Sequence, residues 1–157
     1  MIAIIDYNSS YQPWFEKLNR RWIEKHFYME EVDEYVLKNP EEAIIAAGGL
    51  ILMATHNGEI AGTAALRKLS DQQYEFTKMA VDESFQRKGI AAALCDACLS
   101  RAADLGAQSI VLYSNSILIP ALKLYEKLGF RYLAPDNMEY QRSDIKMMLD
   151  IRDLVLQ

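Results

Sequence analysis

The sequence predicts an α/β fold in which one mixed, mostly antiparallel sheet of about seven strands carries helices on both faces. Two patterns lead to this prediction: seven short apolar runs of β type, and segments between them whose apolar residues recur at helical spacing. Three of the apolar runs follow one another directly, which indicates an antiparallel meander. At 157 residues the chain has the size of one ordinary domain, so we expect a single domain over residues 1–157.

The first fifty residues combine one strand with helices. Residues 2–6 form a short apolar run, and Phe15, Leu18 and Trp22 recur at helical spacing within residues 11–27. A second helical segment is expected at residues 31–38. The stretch NPEEAIIAAGG supplies an Asn cap, a Pro at the first helical position and a terminal Gly pair, which predict a short helix at residues 40–47.

Residues 50–81 are predicted to form the meander. The dipeptide Asn57-Gly58 supplies the positive φ angles that a tight hairpin needs between the first two runs. The polar turn SDQQ then leads to a third run at residues 74–81.

The second half of the chain alternates helices and strands. A helix is expected from residue 90 to 105, ended by Gly106, and a buried strand follows at residues 109–113. The stretch IPALKLYEKLGF has Pro120 near its start and Gly129 after its last helical residue, as is typical of a helix. Two final strands are predicted at residues 130–133 and 145–151, separated by an irregular stretch.

Composition excludes several classes of function. The net charge of −5 argues against general binding to nucleic acid, which needs a basic surface. The apolar runs are too short to span a membrane, and the first residues lack a signal-peptide pattern, so we expect a cytoplasmic protein that binds no membrane. Cys95 and Cys98 lie well inside a predicted helix, where we expect small buried side chains rather than a redox or zinc pair. No metal is expected.

The stretch VDESFQRKGIAAALCD places a basic loop between a strand and a helix whose entry has no Ser, Thr, Asp or Asn cap. Backbone N–H groups at such a helix start, helped by Arg87 and Lys88, favour an anion, and Gly89 lets a ligand approach the backbone closely. A basic loop that merely turns a corner is the alternative. The sequence has neither the Walker nor the Rossmann glycine spacing, so those two phosphate-binding loops are excluded.

This loop resembles the Q/R-x-x-G-x-G/A signature of the GNAT superfamily of N-acetyltransferases, with Ala where Gly is commoner at the last position. The stretches YEFTKMAV and LYSNSILIPALKLYEKLGF are similar to the family's fourth strand and to its fifth strand and following helix. The resemblance implies that acetyl-CoA is the cosubstrate and that the loop backbone holds its pyrophosphate. The residues concerned would be Gln86, Arg87, Lys88, Gly89, Ile90 and Ala91.

The resemblance also implies roles for five residues near the middle of the sheet. The fourth and fifth strands would splay apart, and the backbone of Met79, Ala80 and Val81 would pair with the pantetheine arm and the thioester. Tyr125 stands where family members often carry the tyrosine that protonates the CoA sulfur, although its place on an apolar stripe also fits a core tyrosine. Asn115 resembles an asparagine that touches the cofactor arm, or else it only begins a turn.

Glu75 is the candidate general base, acting through water, and an exposed strand glutamate is the alternative. Regular strand alternation would place Glu75, Thr77 and Met79 on one face and Tyr74, Phe76 and Lys78 on the other. The substrate amine could also lose its proton to solvent before it binds.

These features predict acetyl transfer from acetyl-CoA to a primary amine of a small molecule or peptide, by direct attack in a ternary complex. A non-catalytic acyl-CoA-binding sensor or scaffold is the alternative. Seven acids between Glu24 and Glu42, against Lys25 and Lys38, suggest a cationic acceptor if some of them face the cleft, and otherwise a solvated helical face. The oligomeric state stays open, with a homodimer as one option.

Overall fold

The computed structural model describes residues 1–134 and 141–155 and contains one seven-stranded sheet in the order β1-β2-β3-β4-β5-β7-β6. All neighbouring strands pair antiparallel except β4 and β5, which are parallel. The predicted fold class is therefore confirmed. The strands are β1 (Ile2–Asp6), β2 (Leu50–His56), β3 (Glu59–Lys68), β4 (Gln73–Val81), β5 (Ser109–Ser114), β6 (Arg131–Leu133) and β7 (Ile145–Asp150).

Four helices follow the predicted segments closely, and a fifth, at the end of the described chain, was not expected. They are α1 (Gln12–His26), α2 (Glu31–Lys38), α3 (Ile90–Asp104), α4 (Ile119–Leu128) and α5 (Arg152–Val155). The short helix expected at residues 40–47 is instead a π-type turn at Glu41–Ile45. Gly129 ends α4 with φ of +105°, a left-handed conformation that glycine adopts without strain.

Apolar clusters lie on both faces of the sheet, because its central strands are buried on both sides. One face packs against α3 and α4, with Leu94 and Leu122 among the buried residues. The other packs against α1 and α2 through Phe15, Val36 and Leu37. Helices thus cover both faces, as predicted.

The hairpin at Asn57-Gly58 has φ angles of +51° and +85°, as the dipeptide predicted. In the described part of the chain, no helix is both long enough and apolar enough to cross a membrane. Part of the irregular stretch expected before the last strand, residues 135–140, lies outside the described residues.

Candidate active site

The sheet opens between β4 and β5. The two strands pair only where residues 73–75 meet residues 109–111, and from there towards their carboxyl ends they diverge. This divergence is the splaying that the family resemblance implied. A cavity of about 820 Å³, counting its open mouth, occupies the gap.

A bulge interrupts β4 at the edge of this cavity. Thr63 and Ala65 of β3 pair with Ala80 and Thr77 of β4, so two residues of β4 face one residue of β3. The extra residue adopts the left-handed conformation: Lys78 has φ of +55°. Such a backbone is uncommon for a residue other than glycine and is typical of functional sites.

The bulge corrects the predicted strand alternation. Tyr74, Phe76 and Met79 all pack on the α3 and α4 side, whereas the Lys78 ammonium reaches α2 on the opposite side. The expectation that Met79 shares a face with Glu75, and Lys78 with Phe76, is therefore wrong. The cause is the extra residue, which reverses the side-chain alternation for the rest of the strand.

Tyr125 on α4 lies on the cavity wall and is almost fully buried. Its ring meets the rings of Phe76 and Phe130 edge to face, with centroids 6.1 and 5.9 Å apart. Burial, and then the nearby Cys95 thiol, raise the pKa of the Tyr125 phenol well above its usual range. The side chain therefore packs as a core tyrosine that also lines the cavity, and its phenol is protonated at neutral pH.

Glu75 also lines the cavity, but not as the exposed glutamate of the alternative interpretation. Its carboxylate is 2% exposed, and Arg67 of β3 donates to Oε1 from Nε at 2.9 Å and from Nη2 at 2.7 Å. A buried, paired carboxylate is held in a fixed position, which is a requirement for a base that acts through a bound water.

Asn115 lies at the end of β5, on the same cavity wall. Its Oδ1 accepts a hydrogen bond from the Ile117 N–H at 3.0 Å, which forms the predicted turn. Its Nδ2 donates to the backbone carbonyl of Arg142 at 2.6 Å, a contact that links β5 to the segment before β7. Both the turn and the cavity position are thus present.

The predicted phosphate loop lies at the start of α3. The helix begins at Ile90 with Gly89 as its N-cap residue at φ of +83°, and no side chain caps it. Residues 86–89 are exposed, and a Cβ added to Gly89 would have no neighbour within 4 Å. Arg87 is also left-handed, with φ of +64°. Successive left- and right-handed residues of this kind form the N–H concavities that bind anions.

Sequence reasoning missed a buried charge cluster beside the cavity, formed by Glu30, Asp33, Lys78 and Arg142. Asp33 of α2 is fully buried and accepts hydrogen bonds from Lys78 Nζ at 3.0 Å and from both terminal nitrogens of Arg142, at 2.7 and 2.9 Å. Glu30 accepts a further one from Arg142 at 3.0 Å. Burial raises the pKa of Asp33, but the Arg142 hydrogen bonds and the Lys78 charge outweigh it, so this pKa lies below its usual value.

One signal in the sequence could have revealed the cluster. Asp33 stands three and four residues before Val36 and Leu37, on the buried stripe of α2. An acid on such a stripe needs a cationic partner. The interpretation of the acidic segment as a solvated face is therefore wrong for Asp33.

The seven acids of residues 24–42 do not line the described part of the cavity. Glu34 pairs with Arg20 and Lys38, Glu41 with the Tyr7 hydroxyl, and Glu24 faces a second groove beside α1. Cys95 and Cys98 are buried and free, as predicted, and burial raises the pKa of Cys95 to about 12.

Comparisons with a family model and with known proteins point to the same family. A family model described as acetyltransferase (GNAT) family matches residues 8–130. Human N-acetylaspartate synthetase is 32% identical over 113 residues, which are 71% of this chain but only 35% of the human protein. The chain thus spans about a third of that relative.

Solved structures share the fold over nearly the whole chain. A GNAT-family acetyltransferase from Staphylococcus aureus Mu50 superposes with a TM-score of 0.86 at 23% identity, covering 96% of this chain and 99% of that one. YncA from Salmonella typhimurium, a putative acetyltransferase solved with its cofactor acetyl-CoA, has a TM-score of 0.76 at 17% identity and covers 96% and 94%.

Proposed function

The chain belongs to the GNAT family of acetyltransferases, and on this premise we propose that it transfers the acetyl group of acetyl-CoA to a primary amine of a small molecule or peptide by direct attack in a ternary complex. The observation that carries the proposal is Tyr125, a buried phenol with a raised pKa on the wall of the cavity between the diverging strands. A proton donor at that position suits a reaction that expels a thiolate.

Acetyl-CoA would enter along the gap between β4 and β5. The loop of residues 86–91 would hold the pyrophosphate through its backbone N–H groups, since α3 has no side-chain cap there. The backbone of Met79, Ala80 and Val81 would contact the pantetheine arm and the thioester carbonyl. Asn115 would contribute by shaping the opposite wall, where its turn and its bond to Arg142 fix the end of β5.

The chemical step needs a neutral amine, which attacks the thioester carbon. A C–N bond forms, the C–S bond breaks, and the leaving thiolate takes the phenol proton of Tyr125. The attached nitrogen then gives its proton to a water molecule, which passes it to Glu75, the assigned base. Return of one proton to the Tyr125 phenolate restores the tyrosine and completes the cycle. A substrate that arrives already deprotonated would need Glu75 less.

The amine itself is not fixed by the family. The name of the human relative mentions N-acetylaspartate, so an amino acid belongs among the compounds tested. The acids of residues 24–42 are absent from the described cavity lining. They could therefore favour the cationic acceptor inferred from sequence only by long-range electrostatic attraction.

The test compares Tyr125→Phe with Tyr74→Phe. Tyr74 is equally buried on the same face but is not part of the described cavity lining. We expect Tyr125→Phe to lower kcat by about 10²-fold with acetyl-CoA affinity unchanged, and Tyr74→Phe to keep kcat. The measurements are acetyl-CoA-dependent thiol release with a panel of amines, and calorimetry.

The alternative function, a non-catalytic acyl-CoA-binding module, predicts a different outcome. Acetyl-CoA would bind, but no amine of the panel would cause thiol release above background. Neither tyrosine substitution would change that background rate. That result would also return Tyr125 to the role of a core residue.

A further inference from the structure

We propose that the acceptor is a primary amine on an apolar carbon group, and that Asn19 of α1 holds its nitrogen beside the thioester. The side-chain oxygen of Asn19 would accept a hydrogen bond from one N–H of the amine, and the apolar group would pack on Trp22 and Phe27. This inference rests on the proposed acetyl transfer and names the substrate class of the same site.

Asn19 is a buried polar side chain whose amide is only partly used by the protein. It is 1% exposed and lines the cavity. Its Nδ2 donates to the Phe15 carbonyl, one turn earlier in α1, at 3.0 Å. A carbonyl can only accept, so the amide nitrogen must face Phe15 and the amide oxygen must point away from it. Among the described residues, none donates a hydrogen bond to this oxygen.

The Asn19 oxygen is open rather than enclosed. Every enclosed side-chain nitrogen and oxygen of the described residues has a hydrogen-bond partner. Asn19 Oδ1 has none among them, so this atom is accessible, and the space that Asn19 lines is the cavity. An amide on the buried face of a helix is costly unless its polar atoms have partners, and a leucine there would pack without that cost. A ligand that donates to Oδ1 gives the amide a function at this position.

The lining of the cavity comes from both faces of the sheet. Phe76, Met79 and Tyr125 belong to the face that α3 and α4 cover. Asn19 comes from α1, which covers the other face, and Glu75 points to that same side because neighbouring strand residues alternate. The assigned acid therefore lies on one side of the gap, and the assigned base lies with Asn19 on the other.

This arrangement suits the attack of an amine on the thioester. A primary amine has one lone pair and two N–H groups. The lone pair attacks the thioester carbon, one N–H donates to Asn19 Oδ1, and the other donates to the water that leads to Glu75. The bond to Phe15 fixes the amide, so its oxygen orients the nitrogen before the C–N bond forms. Asn19 exchanges no proton with the amine, and its role is to position the nucleophile.

The surroundings of Asn19 indicate what the amine carries. The other side chains of α1 on the described lining are Trp22 and Ile23, and Phe27 follows directly after the helix. The ring centroids of Trp22 and Phe27 are 6.0 Å apart, and both side chains are only partly buried. An apolar group next to the amine would cover this aromatic surface, which is favourable because it removes apolar area from water.

The first experiment removes the amide oxygen with Asn19→Leu, which keeps the size of the side chain. Benzylamine is compared with N-methylbenzylamine, whose single N–H is needed by the water that leads to Glu75. We expect kcat/KM for benzylamine to fall about tenfold, equivalent to one hydrogen bond of ~1.4 kcal/mol, and that for N-methylbenzylamine to change less than about threefold. Acetyl-CoA affinity, measured by calorimetry, should be unchanged.

Two controls separate this role from a structural one. Asn39→Leu removes the same kind of bond, from Nδ2 to the carbonyl four residues earlier, but Asn39 does not line the described part of the cavity. It should leave kcat/KM for both amines unchanged. Leucine favours a helix interior more than asparagine does, so Asn19→Leu should not lower the urea midpoint.

The second experiment tests the apolar group. Benzylamine and ethanolamine have similar amine pKa values, so amine ionisation does not separate them. We expect the wild type to prefer benzylamine about tenfold in kcat/KM, and Trp22→Ala to reduce this preference by about threefold or more. The control is Trp14→Ala, because Trp14 is also on α1 but is exposed and does not line the described part of the cavity.

Several results would overturn the inference. An equal loss for benzylamine and N-methylbenzylamine in Asn19→Leu would do so, and a lower urea midpoint in that variant would assign Asn19 to packing alone. Equal kcat/KM for benzylamine and ethanolamine, or an unchanged preference in Trp22→Ala, would exclude the apolar group. If other amines are acetylated but benzylamine is not, the inference also fails. Failure of the proposed function is distinct, since it requires that no amine of any kind is acetylated.

Discussion

The loop of residues 86–91 and the buried charge cluster were open to sequence reasoning to very different degrees. The loop of residues 86–91 is continuous in the chain, and its residues 86–89 are exposed. The cluster joins Asp33 to Lys78 and Arg142, which lie 45 and 109 residues away in the sequence. A contiguous motif shows its chemistry locally, whereas a cluster of this kind exists only after the sheet has formed.

The two regions also differ in what they contribute to stability. Residues 86–89 of the loop are exposed, so changes there should affect binding more than folding. In the cluster, charges are removed from water and depend on one another, so the loss of one partner should affect folding first.

The largest effect that separates the two regions is expected for Asp33→Asn. The substitution leaves Lys78 and Arg142 facing a neutral side chain in a buried site, which should cost about 3–5 kcal/mol in the free energy of unfolding. Urea denaturation at neutral pH measures this loss. The control is Glu34→Gln, which removes the adjacent acid of the same helix from a more exposed pair with Arg20. A similar, small loss in both variants would contradict the assignment of Asp33 as the centre of the cluster.

A smaller effect, on binding, is expected for Gly89→Val in the loop. A β-branched residue is strained at φ of +83°, and its side chain would enter the open space over the helix start. We expect acetyl-CoA to bind at least about tenfold more weakly, equivalent to ~1.4 kcal/mol. Gly106→Val imposes the same backbone strain after the other end of α3, at φ of +87° and also without neighbours. If calorimetry finds the same acetyl-CoA affinity in both variants, the pyrophosphate does not bind at this loop.

The smallest effect should be the acid response of Glu34. Hydrogen bonds from Arg20 and then Lys38 lower its pKa to about 2, below the value of an unfolded glutamate. The stabilisation is therefore complete above about pH 4.5 and is lost as the pH falls towards 2. Solvent screens this exposed pair, so the wild type and Glu34→Gln should differ only slightly in urea midpoint at pH 7 and should converge at low pH. If the difference in urea midpoint grew as the pH falls, it would contradict the lowered pKa of Glu34.

Sequence patterns predicted the fold and the loop because their signals are local. Asn57-Gly58 adopts the positive φ angles expected of it, and Gly129 ends α4 where the sequence predicted the end of a helix. The bulge at Lys78 was missed because lysine carries no signal for a left-handed conformation, so the face of Met79 was assigned wrongly. The base and acid assignments of Glu75 and Tyr125 stay predictions, although both side chains do line the cavity.

The cluster was missed for a different physical reason. Asp33 was counted with six acids that are near it in sequence, but its environment is set by Lys78 on β4 and by Arg142 before β7. Burial and pairing, not local charge density, decide what such a group does. Counting charges along a helix therefore said little about the charges at the cavity wall.

The hydrogen bond from Asn115 to the Arg142 carbonyl has a consequence for how strongly the two substrates bind together. Asn115 fixes the turn before α4, on the wall where the cofactor arm is expected, and through this bond it also fixes the backbone of Arg142, which lines the same cavity. If acetyl-CoA tightens that turn, it lowers the acceptor dissociation constant, and thermodynamic linkage requires the acceptor to tighten acetyl-CoA by the same factor. Asn115→Ala would remove this coupling, and the affinity of each ligand would then be independent of the concentration of the other.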